Sequence, residues 1–89
     1  MQYMREKRVK SPEQIESESE RKIFRTQFAL KLKKARQKQK ITQEHAATLA
    51  KINEDYYGHL EVGRYMPTLF IAKKLAKALH VSLDALTNF

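Results

Sequence analysis

Apolar side chains along this 89-residue chain recur at intervals of three and four residues, and no convincing run alternates strictly as a half-buried strand would. Ile23, Phe24, Phe28, Leu32 and Ala35 form one such stripe, which predicts a first core helix with its core face along these residues. Ala46, Ala47 and Ala50, with Leu49 at the edge, form a second stripe of very small side chains that permits close helix approach. Tyr56 or Tyr57, followed by Leu60, makes a third. Leu69, Ala72, Leu75, Ala76 and Leu79 make a fourth, and Leu83 with Leu86 a short fifth.

The breaks between stripes carry capping residues. Thr42, Asn53, Thr68 and Ser82 each stand just before a stripe and supply a side-chain oxygen for an unpaired first-turn amide. Helices are therefore expected from Gln43, from Glu54 to Glu61, from just after Thr68 and from just after Ser82. Asn53 follows Ala50 by only three residues, so the second and third helices are joined by a tight turn. Val62 to Pro67 reads as a loop in which Gly63 reaches a positive φ freely. The pattern predicts five core helices and no strand.

Upstream of the first stripe, Ser11, Pro12 and Gln14 form one plausible helix start, and Ser17 with Glu20 a second. No other glycine or proline interrupts Pro12 to Lys40, which predicts an extra N-terminal helix or an extended first one. Met1 to Lys10 is polar and aperiodic and reads as a disordered arm. Residues 1–22 are thus assigned to an N-terminal extension, residues 23–89 to the domain, and residues 43–62 to its two-helix centre.

Composition narrows the function classes. With 42% apolar residues the core is modest, and a partner subunit would add to its stability. No cysteine means no disulfide framework and no thiolate metal site. No apolar run approaches the roughly 20 residues needed to span a bilayer, and the charged N-terminus lacks a following hydrophobic signal region. A cytoplasmic protein without a membrane partner is expected. His45, His59 and His80 have no companions at metal-ligand spacing, and no phosphate loop or nucleophile set is present. The reading is a protein that is not an enzyme and uses no metal or cofactor.

The net charge of +8 is concentrated. Residues 23–41 hold Arg25, Lys31, Lys33, Lys34, Arg36, Lys38 and Lys40 with no acid, whereas residues 42–89 are neutral overall. Crowded like charges cost helix stability, so a polyanionic partner is a better reading than a merely solvated face. Eight residues of the third helix, at about 1.5 Å each, span about 12 Å, comparable to the width of a DNA major groove.

The ordered set Thr42, Gln43, Glu44, Ala47, Leu60, Glu61 and Gly63 resembles the helix-turn-helix of the lambda-repressor-like, Cro-type (xenobiotic-response-element) family. Pro67, Leu75, Ala76, Leu79, Val81, Leu83 and Leu86 continue the likeness, which covers about Phe28 to Leu86. It implies an all-α, five-helix lambda-repressor-like DNA-binding domain, here with an N-terminal arm or extra helix. Two departures stand out: Lys40 and Lys51 occupy turn positions where the family usually has glycine. A left-handed backbone there costs on the order of 1 kcal/mol, and each lysine gains a place from which to face phosphates.

The resemblance implies a sequence-specific transcription regulator acting on double-stranded DNA as a homodimer, of the small phage, plasmid, antitoxin or restriction-controller type. Asn53, Glu54, Asp55, Tyr56 and His59 are the candidate base readers, with Tyr57 and Leu60 turned inward. Carboxylates accept from the cytosine amino group, which predicts a cytosine-containing site. Thr42, Gln43, Lys51, Arg64 and Tyr65 are the candidate phosphate contacts, Gln43 at the positive end of a helix dipole. The family's arginine and glutamate pair falls on Arg36 and Glu61 as scaffold, and Leu83, Leu86 and Phe89 offer a candidate dimer seam. The rival reading is a protein-interaction module, an antitoxin or adaptor with a protein partner, that keeps the fold with weak or nonspecific DNA binding. Glu54 and Asp55 support it, since acids at a helix N-terminus are stabilised by the dipole without any ligand.

Overall fold

A computed structural model describes the backbone from Pro12 and the side chains from Glu18 to the C-terminal Phe89. The expected arm at Met1 to Lys10 and the capping role of Ser11 lie outside the described residues. Five helices follow in order: α1 Pro12–Lys38, α2 Gln43–Ala50, α3 Glu54–Glu61, α4 Leu69–Ala78 and α5 Leu83–Thr87. The described residues contain no strand. Of the two upstream possibilities, α1 realises the extended first helix, so residues 12–22 and the first core stripe share one continuous helix.

All four capping residues act as caps. The side chains of Thr42, Asn53, Thr68 and Ser82 accept from the amides of His45, Tyr56, Ile71 and Ala85 at 3.0 to 3.1 Å, each satisfying a first-turn donor that the helix leaves unpaired. The helix ends are sharper than the sequence suggests. Lys40, Lys51 and His80 all adopt φ of 58°, the left-handed region, and Gly63 adopts 78°. At Lys51 the reversal lets the Ile52 amide donate to the Ala47 carbonyl at 3.0 Å, closing α2 and redirecting the chain into α3 within three residues.

One core unites the helices: Phe28 and Leu32 from α1, the three alanines of α2, Tyr57 and Leu60 of α3, Ala72, Leu75, Ala76 and Leu79 from α4 and its end, and Leu86 of α5. α2 packs between α3 and α4, and its buried Ala46, Ala47 and Ala50 are small enough to admit both. Ile23, expected in the α1 stripe, is instead 56% exposed. The i, i+4 row through Phe28 and Leu32 leads back to Phe24, and Ile23 lies one residue round the helix from it. Leu86, expected in a seam for a second subunit, is buried at 1% within the core of a single chain, because α5 packs on α1 and α4.

Candidate nucleic-acid interface

A buried polar cluster fixes the angle of α3. Glu61, the last residue of α3, is 7% exposed, and both of its oxygens are occupied. Arg36 of α1 grips them as a fork, Nε to Oε2 at 2.6 Å and Nη2 to Oε1 at 3.1 Å. The Tyr57 hydroxyl, one turn back on α3, donates to Oε2 at 2.6 Å, and Gln43 of α2 donates from Nε2 to Oε1 at 2.9 Å. Arg36 also donates to the Ile41 carbonyl at 2.9 Å, so the α1–α2 turn is tied to the same point. Three helices are thereby pinned to one carboxylate.

The electrostatics follow from these bonds. Burial pushes the Glu61 carboxyl up, but the hydrogen bonds from Arg36, Tyr57 and Gln43 outweigh it and hold the group below the usual carboxylate range. Burial, reinforced by the bond to Glu61, raises the Tyr57 hydroxyl well above an ordinary phenol. The hydrogen bond to Glu61 raises the Arg36 guanidinium against the opposing effect of burial. The cluster is therefore an ionised carboxylate held between a cation and two neutral donors at neutral pH.

With its inner face held in this way, α3 turns a different set of residues outward. Asn53, Glu54 and Asp55 are exposed at its N-terminus, and Tyr56 and His59 are half-buried one turn on. Tyr65, from the following loop, stacks on Tyr56 with ring centroids 6.0 Å apart and meets His59 edge-on at 5.1 Å. All five candidate readers thus sit on α3 or its cap and remain exposed or half-buried, with Arg64 exposed beside Tyr65. Arg25 of α1 braces this loop by donating from Nε to the Gly63 carbonyl at 3.2 Å.

Among the candidate phosphate contacts, Thr42 is exposed with its oxygen used as the α2 cap, and Lys51 is exposed in the turn, where its carbonyl accepts from Lys74 Nζ at 3.3 Å. Gln43 is half-buried at the start of α2, with its side-chain Nε2 donating inward to Glu61. The basic block divides in the same way. Arg36 and Arg25 are tied to Glu61 and Gly63, while Lys33, Lys34, Lys38 and Lys40 face solvent. Two contacts of the site involve residues that the apolar pattern of the sequence does not pair. Arg25 has no local signal for a partner 38 residues away, whereas Tyr57 stands four residues before Glu61 on one helix, a spacing that places their side chains together.

A family model described as helix-turn-helix matches residues 32–86, the span from the second half of α1 to Leu86. The chain belongs to the helix-turn-helix family. The crystal structure of the restriction-modification controller protein C.AhdI from Aeromonas hydrophila superimposes with a TM-score of 0.68 at 29% identity, covering 70% of this chain and 94% of that one. No curated protein matches the chain. Family and neighbour together make this helix-turn-helix protein a DNA-binding transcription regulator rather than an enzyme. No helix among the described residues is long and apolar enough to cross a membrane, and no cluster of metal-ligating side chains is found among them.

Proposed function

We propose that this protein is a sequence-specific regulator of the restriction-controller kind, acting in the cytoplasm as a homodimer on a palindromic operator. The observation that supports it best is the division of labour on α3: Tyr57, Leu60 and Glu61 are buried against the scaffold, while Asn53, Glu54, Asp55, Tyr56 and His59 remain exposed or half-buried. Base edges meet that outer face. Arg64, Lys51 and the first amides of α2, which no helical carbonyl accepts, meet the phosphates. The Gln43 side chain, bonded to Glu61, orients α2 and α3 for this contact from inside.

One α3 covers few base pairs, so a two-fold pair reading half-sites about 34 Å apart supplies the missing affinity. Apolar side chains open to a second copy include Leu69 and Phe70 of α4, 66% and 69% exposed, and Phe89 at 46%, with Leu83 half-buried. A groove of about 380 Å³ lined by Phe24, Met66, Pro67, Leu69, Ala72 and Leu83 adjoins them.

Selection of genomic fragments by the purified protein, against excess nonspecific DNA near 0.15 M salt, tests this function. Recovery of one palindromic sequence is expected. The exposed carboxylates of Glu54 and Asp55, on a helix with no lysine or arginine, favour a second reading, a protein-interaction module. Salt-sensitive recovery without any shared motif would select that reading instead.

A further inference from the structure

The outer face of α3 has an uncommon chemistry for a groove reader. Glu54 and Asp55 lie in its first turn, and no lysine or arginine follows within the helix. Carboxylates only accept hydrogen bonds, so this end of the face matches a donor, the cytosine amino group, and is repelled by the N7 and O6 acceptors of guanine.

The remainder of the face is aromatic. Tyr56 and His59 are three residues apart on α3 and share one side of it. Tyr65 reaches back from the loop to cover both, with centroids 6.0 Å from Tyr56 and 5.1 Å from His59. The three rings hold one another in place, yet Tyr65 remains 45% exposed and Tyr56 and His59 are only half-buried. The Tyr56 amide is fixed by the Asn53 cap at 3.1 Å, and the loop that carries Tyr65 is fixed at Gly63 by Arg25. This is a rigid, partly open apolar platform beside two acceptors.

Among the features that base pairs present in the major groove, the one suited to an apolar platform is the C5-methyl group of a pyrimidine. We propose that Tyr56, Tyr65 and His59 read a pyrimidine C5-methyl group, that of thymine or of 5-methylcytosine, next to a cytosine whose amino group is accepted by Glu54 or Asp55. The inference rests on the DNA-reading function above and names the base edge that the function requires. 5-Methylcytosine presents the amino donor and the methyl on one base, so an operator read through it is sensitive to cytosine methylation. An operator read through thymine already carries the methyl and gains no affinity from cytosine methylation.

The test uses the full-length wild-type protein and the operator recovered by fragment selection. Each thymine is replaced in turn by deoxyuridine, which removes only the methyl, and each cytosine by 5-methyl-deoxycytidine, which adds one. Loss of affinity by about fourfold at one thymine per half-site, the effect of burying one methyl, assigns the platform to thymine. A gain of similar size at one cytosine assigns it to 5-methylcytosine. Tyr65→Ala and Tyr56→Ala should abolish the difference between methylated and unmethylated sites, and Tyr56→Phe should preserve it, because the ring and not the hydroxyl makes the contact. Equal affinity for all substituted operators would overturn the inference while leaving the regulator reading intact. Failure to recover any motif would overturn both.

Discussion

Arg36 and Glu61, twenty-five residues apart, meet as a two-pronged ion pair whose shorter arm is 2.6 Å, with the arginine side chain 14% and the glutamate side chain 2% exposed. Removing either partner leaves a buried charge without its counter-ion. Glu61→Ala and Arg36→Ala should each cost about 3 to 5 kcal/mol in urea denaturation at neutral pH. Arg36→Lys should recover only part of that loss, because an ammonium does not reproduce the planar fork. A midpoint unchanged by Glu61→Ala would show that the pair does not hold α3 to α1.

The same carboxylate sets an acid limit on stability. Its folded-state pKa lies below the unfolded value of about 4.3, so its contribution is fully present above that pH and is lost as the pH falls through the folded value. Denaturation midpoints of the wild type should therefore fall more steeply than those of Glu61→Gln as the pH is lowered from 5 toward 3, in steps of about half a unit. Parallel curves would locate the acid sensitivity in other carboxylates.

Lys40 and Lys51 hold left-handed backbone at φ of 58°, where glycine is free of the Cβ penalty. Lys40→Gly and Lys51→Gly should each stabilise the fold by on the order of 1 kcal/mol, raising Tm by about 4 to 8 °C. If Lys51 faces a phosphate, Lys51→Gly should at the same time weaken DNA binding and reduce the log-log salt slope by about 0.9. A stabilised variant with unchanged DNA affinity would remove Lys51 from the phosphate contacts.

Arg64 and His59 separate backbone contact from base reading. Arg64→Ala should weaken binding to all sequences to a similar degree, whereas His59→Ala should relax the preferred base at one position of the operator. Binding selections with the two variants distinguish these outcomes. An unaltered preference with His59→Ala would restrict His59 to supporting Tyr65.

Pairing on a palindrome predicts a dimer at micromolar concentration in sedimentation equilibrium, or one induced by operator DNA. Leu69→Lys, at a side chain 66% exposed, should shift the protein to monomer, and its melting temperature should fall only by what pairing contributes. A wild type that stays monomeric with and without operator would reject the dimer.

The local grammar of the chain is legible in its sequence. The caps at Thr42, Asn53, Thr68 and Ser82, the bounds of α3 and the inward turn of Leu60 follow from three- and four-residue spacing and first-turn hydrogen bonding, which act within a few residues. Tertiary structure decided what depends on residues distant in sequence. Ile23 and Phe24 are neighbours of similar apolarity, and only the direction from which α5 and α3 approach α1 exposes one and shelters the other. The inward turn of the Gln43 amide, the bracing of Gly63 by Arg25, the left-handed His80 at the end of α4 and the burial of Leu86 likewise needed the packed helices. The sequence by itself determined where α2, α3, α4 and α5 start and which family pattern the chain carries, because those depend on local chemistry. The packed chain alone decided that Tyr57 and Gln43 join Arg36 on Glu61, because a buried carboxylate recruits whichever donors the fold brings within about 3 Å.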